Sequence, residues 1–123
     1  MWKYTGIADV ALCNIDNVCL SYYYSLPNKL FEYIQALVPV VGSDFPEIKG
    51  IIDKYRVGEI CNPNNPQSIA NAIKKVVSKS RGAGYLENLL SARKELNWHK
   101  ESNVLIAAYK QLLDSCFDSK EFN

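Results

Sequence analysis

The chain has 123 residues, 48% of them hydrophobic, and its 14 Lys+Arg against 13 Asp+Glu leave a net charge of +1. Such a length and apolar share suit one domain around a single core. The charge balance excludes a broadly basic surface for nucleic acid or an anionic membrane, so any anionic ligand has to be met by local groups.

In chain order, a β-type run over residues 10–15 comes first, then a loop carrying Tyr22, Tyr23 and Tyr24. Leu30, Phe31, Ile34 and Leu37 share one face of a helix over 30–37, and a second apolar run over 38–42 reads as a buried strand. Ile48, Ile51 and Ile52 mark a helix over 47–55, and 58–61 reads as a third strand. Asn65 is a good N-cap, Pro66 fits a first helical position, and Ile69, Ala72, Ile73, Val76 and Val77 stripe a helix over 66–77. Residues 78–84 read as a loop. Leu86, Leu89, Leu90 and Leu96 mark one further helix, and Leu105, Ala108, Tyr109, Leu112, Leu113 and Cys116 mark a helical tail over about 98–117.

Strands alternating with helices predict an α/β fold with a Rossmann-like parallel sheet and flanking helices. Three strands are few beside the five or six of an independent Rossmann-type domain, so residues 1–123 are expected to form part of one. The last helix and the sheet edge beside the first strand would then expose apolar surface, and the isolated chain is expected to self-associate.

The four cysteines, Cys13, Cys19, Cys61 and Cys116, form no C-x-x-C pair, and only His99 could join them at a metal; no metal site and no disulfide framework is expected. Cys13 and Cys61 lie in apolar runs and read as buried thiols of a reduced, cytoplasmic protein. MWKYTGIADVALCN lacks the layout of a signal peptide, and no apolar run approaches a transmembrane span.

The chemistry concentrates at residues 25–32. Pro27 near a helix start leaves the amides of Asn28, Lys29 and Leu30 without intrahelical acceptors, and the helix dipole and the Lys29 ammonium add positive charge: an anion site. Glu32 projects near the same helix end, where a carboxylate can accept two hydrogen bonds from a ribose. A nucleotide diphosphate would suit both groups. On spacing alone the more ordinary reading of Lys29 and Glu32 is a surface ion pair, with Glu32 merely complementing the dipole.

The stretch SLPNKLFEYIQALVPVV, residues 25–41, resembles the donor-binding segment of retaining GT-B glycosyltransferases, S-x-P-x-K-x-x-E-x-x-A-x-G-x-P-V-V. Ala8-Asp9-Val10, Gly42 to Glu47, Val57 to Ile60, Asn65 to Ile69, and Trp98 with Tyr109 are similar to further landmarks of that family. The resemblance implies the C-terminal, nucleotide-sugar-binding domain of an enzyme that transfers a sugar from a nucleotide-diphosphate sugar to an acceptor, in glycan or polysaccharide biosynthesis, with no cofactor. An N-terminal acceptor domain and the basic donor-phosphate residues would lie upstream, leaving this chain alone inactive, and the full-length protein would work in the cytoplasm or at the inner membrane surface. Carried over, Glu32 holds the ribose, Leu26, Pro27, Asn28 and Lys29 face the diphosphate and sugar, and Leu30 makes an apolar contact to ribose or base. Two positions depart from the pattern: Tyr24 stands where many relatives have a carboxylate eight residues before the ribose-binding one, and Val38 is read at the glycine before Pro-Val-Val. The alternative is a non-catalytic nucleotide-sugar or protein-interaction module on the same fold.

The remaining features are weaker. His99 has no Ser or Cys at triad spacing, and the three tyrosines read as rim packing or as a ring-stacking surface. Gly82 and Gly84 beside the basic Arg81 read as linker rather than phosphate loop, and Asp44 and Glu47 read as caps beside Pro46. Asp9 and Asp44 are poor substitutes for the acidic cluster of a response-regulator-like domain.

Overall fold

The computed structural model describes residues 2–80 and 84–118, with side chains over 4–80 and 84–115. The elements are α1 (Trp2–Thr5), β1 (Ala11–Cys13), α2 (Leu20–Tyr23), α3 (Asn28–Gln35), β2 (Val40–Ser43), α4 (Pro46–Tyr55), β3 (Gly58–Cys61), α5 (Pro66–Ser80), α6 (Leu86–Glu95) and α7 (Trp98–Asp118). The strands form one parallel sheet in the order β1-β2-β3, with Ala11 opposite Val40 and Val40 opposite Gly58. Helices flank this sheet, so the fold is α/β and Rossmann-like.

The strand ends differ from the expected ones for physical reasons. The run over 10–15 pairs only through Cys13, because beyond it the Ile15 amide donates to the Ser43 hydroxyl (2.8 Å), which itself donates to the Ile15 carbonyl (2.9 Å). The run over 38–42 starts pairing at Val40: the Val38 amide is used to close α3 by donating to the Tyr33 carbonyl, and Pro39 has no N–H to offer. Its carbonyl still accepts the Ala11 amide (2.9 Å).

Apolar faces pack as their spacing predicts. Leu30 and Ile34 of α3, Ile48 and Ile52 of α4, Ala72 and Val76 of α5, and Leu89 and Ala92 of α6 close over Val40, Val41 and Val57. Asn65 caps α5, its side-chain oxygen accepting from the amides of Gln67 (3.0 Å) and Ser68 (3.2 Å). The expected loop from 78 is still helical to Ser80, and the glycine at 82 lies outside the described residues. Asp44 caps nothing; it pairs with Lys49 (3.0 Å), while Phe45 occupies the N-cap position of α4.

Two close approaches fix the sheet. A methyl group at Gly58 would stand 1.8 Å from the Val40 carbonyl oxygen, and one at Gly42 would meet the side chains of Ile48 and Ile52 at 2.7 Å. The tyrosine segment is a single helical turn rather than a loop: Tyr23 packs on Phe45 (centroids 5.1 Å apart) and meets Tyr24 edge-on (4.9 Å), while Tyr22 and Tyr24 stay exposed. Along α7, Val104, Leu105, Ile106, Tyr109, Leu112 and Leu113 are all exposed, giving this long helix an uncovered apolar face.

Candidate functional site

The carboxyl ends of parallel strands are where ligands bind in open α/β sheets, and α3 starts there. Pro27, extended at φ −73° and ψ 139°, occupies its N-cap position. Of the three amides expected to be open, that of Leu30 is taken, donating to the Pro27 carbonyl (3.1 Å). The amides of Asn28 and Lys29 have no backbone acceptor among the described residues. Ser25 steadies the approach, its hydroxyl donating to the Tyr22 carbonyl (3.0 Å).

Helical geometry then divides the side chains of this turn. Asn28, Phe31, Glu32 and Gln35 of α3 line a groove of about 900 Å³ together with Leu26 before the helix and with Trp98 and Glu101 of α7. Lys29 is absent from that lining and sits on the other flank of α3, where its charge acts on Cys13. Burial pushes the Cys13 thiol up to about 11, and Lys29 only partly opposes this, so Cys13 stays protonated at neutral pH. Burial likewise raises Cys61, with the charge of Asp44 adding to it.

Lys29 and Glu32 therefore do not form the surface ion pair that their spacing allows. Glu32 is exposed, and its carboxylate has no ion pair or hydrogen bond among the described residues. Leu30 corrects the expected apolar contact to ribose or base: its exposure is 0%, so it offers no surface to a ligand and belongs to the core. Leu26 and Phe31 supply apolar surface in its place.

The groove's far wall is held by bonds that local periodicity does not reveal. Gln35 donates through Nε2 to the Leu96 carbonyl (2.7 Å), tying α3 to the end of α6. Asn97 donates to the Lys94 carbonyl (2.9 Å) and accepts the Lys100 amide on Oδ1 (3.0 Å), thereby capping α6 and α7 together. The signal available in the sequence was the polar Asn97 between two apolar periodic runs. Trp98 is 73% exposed, and His99 beside it is also exposed.

The glycine of the family segment is also relocated. Counted from Ser25, the pattern puts it at Leu37, not Val38, and Leu37 has φ 61°. Leu37 and Val38 close α3 by donating to the carbonyls of Ile34 (3.1 Å) and Tyr33 (3.0 Å), the paired bonds of a left-handed helix stop.

A model of the family described as glycosyl transferases group 1 matches residues 16–94, more than half of the chain. The chain belongs to that family. The match takes in the whole donor-type segment, α3 with Asn28 to Glu32, and the sheet from β2 onward, and this glycosyltransferase domain places the chain in the transferase class. Ala8-Asp9-Val10 and the Trp98 and Tyr109 landmarks fall outside the matched range. No curated protein and no solved structure matches the chain. Among the described residues no group of three or more His, Cys, Asp or Glu could hold a metal, and no helix is long and apolar enough to cross a membrane.

Proposed function

We propose that the chain is the donor-binding part of a retaining glycosyltransferase of GT-B architecture, which moves a sugar from a nucleotide-diphosphate sugar to an acceptor and releases the nucleotide diphosphate. One observation carries this reading: a free carboxylate, Glu32, and the open amides of Asn28 and Lys29 meet on the first turns of one helix at the carboxyl end of the sheet. Glu32 accepts hydrogen bonds from the two ribose hydroxyls. The diphosphate lies over the helix start, held by those amides, by the turn at Leu26 and Pro27, and by the Lys29 ammonium. These donors also stabilise the negative charge that grows on the leaving diphosphate as the sugar departs.

The exposed apolar face of α7 is a surface that a neighbouring acceptor-binding domain covers, and the open edge of β1 is where further strands of the donor domain's sheet pair. The reaction serves glycan or polysaccharide synthesis in the cytoplasm or at the inner membrane surface. A second reading, a non-catalytic nucleotide-sugar module, is favoured by one observation: Tyr24, 60% exposed, replaces a carboxylate where many relatives contact the sugar.

Glu32→Ala tests the reading. It should weaken nucleoside diphosphate binding by about 1.5–3 kcal/mol, the worth of hydrogen bonds to a charged group, with folding unchanged because the side chain is exposed. Equal binding by both proteins in a calorimetric titration would remove Glu32 from the donor site.

A further inference from the structure

The groove between α3 and the start of α7 is larger than a ribose alone requires, at about 900 Å³, a size typical of sites for small organic ligands. Its lining is also chemically one-sided. It contains two carboxylates, Glu32 and Glu101, and neither has a partner among the described residues; no Lys, Arg or His lines it. Such a lining repels phosphate and favours neutral groups that bring O–H or N–H donors.

Its remaining surface is apolar and aromatic, from Leu26, Phe31 and Trp98. An indole left 73% exposed beside a concave wall offers a face on which a flat ring can stack. The wall is held in place before any ligand arrives, because Asn97 caps α6 and α7 and Gln35 ties α3 to Leu96. Lys29, the one cation of the segment, stands on the opposite flank of α3 from the groove.

We infer that this groove takes the nucleoside of the donor: the base stacks on Trp98 and gives an N–H to Glu101, and the ribose reaches Glu32. The diphosphate then leaves the acidic groove across the start of α3 toward Lys29. This rests on the nucleotide-sugar reading above and extends it to Trp98 and Glu101, which lie 66 and 69 positions beyond Glu32 in the chain and outside the family match.

The test uses the whole chain carrying Trp2→Phe, so that tryptophan fluorescence reports Trp98 alone. Uridine, adenosine and guanosine diphosphates are titrated separately, with ribose 5-phosphate as the ligand lacking a base. At least one diphosphate should quench the signal; by calorimetric titration, which needs no tryptophan, Trp98→Ala should weaken its binding about tenfold and Trp98→Phe by no more than about threefold, as base stacking on an aromatic ring requires. Glu101→Gln should weaken the same ligand, and neither Trp98→Ala nor Glu101→Gln should alter ribose 5-phosphate binding. Diphosphate binding that depends on Glu32 but is indifferent to Trp98→Ala overturns this inference and leaves the donor reading intact. Equal weakening of every ligand, ribose 5-phosphate included, shows a structural effect of Trp98 and also overturns it. If no diphosphate binds up to about 10 mM, weaker than the millimolar range of the weakest specific sites, the donor reading falls and this inference with it.

Discussion

Leu37 and Arg56 both hold backbone conformations that favour glycine, at φ 61° and 52°. They differ in what the side chain contributes. Leu37 is half-buried against the core, so its packing offsets the left-handed cost of about 1–2 kcal/mol, and a glycine there gains little. Arg56 is exposed at the end of α4, and Arg56→Gly should stabilise the protein by about 0.5–1 kcal/mol, read as a higher urea midpoint at unchanged slope. Ser43 shows the reverse case, a wholly buried hydroxyl joining the ends of β1 and β2. Ser43→Ala strands the Ile15 amide and should cost about 1–3 kcal/mol in the same measurement. At this scale the sequence was a partial guide. The roles of Pro27 and Asn65 follow from their own chemistry, but spacing alone could not tell whether Lys29 would face Glu32, and the resemblance put a ligand contact on Leu30 although its spacing already placed it on the buried face.

The three strands and the five longer helices were legible because each repeats its apolar residues at its own period and carries its own breakers. Their ends were not. β1 stops where Ser43, on another strand, captures Ile15, and β2 begins where Pro39 runs out of donors, and both are settled between elements. Gly58 is a similar case: an unremarkable glycine in the sequence, it lies against the Val40 carbonyl across the sheet. Gly58→Ala should cost about 3 kcal/mol or more by forcing β2 and β3 apart, measured by chemical denaturation. Asn97→Ala uncaps two helix ends at once and should cost about 1–2 kcal/mol.

Over the whole molecule, β3, α5 and α6 meet at Glu59, which accepts hydrogen bonds from Lys79 and from the Tyr85 hydroxyl (3.1 Å) and has Lys75 at 3.9 Å. Burial by itself would raise its carboxyl pKa, but those hydrogen bonds and the two lysine charges outweigh it and hold the group below its ordinary value. A depressed carboxyl stabilises the fold above its unfolded pKa of about 4.3, and that contribution is lost as the pH falls through the lower folded value. Glu59→Gln should therefore lower stability at neutral pH and flatten its decline below about pH 4, seen in urea melts across the acid range. The uncovered face of α7 belongs to this scale too. The isolated chain should self-associate through Leu105, Tyr109 and Leu112, and Leu105→Glu should shift light scattering toward the monomer. The groove is likewise a property of the whole, since its two walls are far apart in sequence and no local pattern announces that Trp98 and Glu32 face one space.

The central claim, that the start of α3 is a nucleotide-sugar donor site, is tested most directly by mapping backbone amide shifts of the labelled chain during titration with a nucleoside diphosphate. The account predicts weak, millimolar binding, because this turn supplies few of the charge-assisted bonds a diphosphate needs. The largest shifts should fall on Asn28, Lys29 and Glu32 and disappear in Glu32→Ala. Shifts centred elsewhere, such as on Asn65 to Lys75, or shifts that survive Glu32→Ala unchanged, would contradict it.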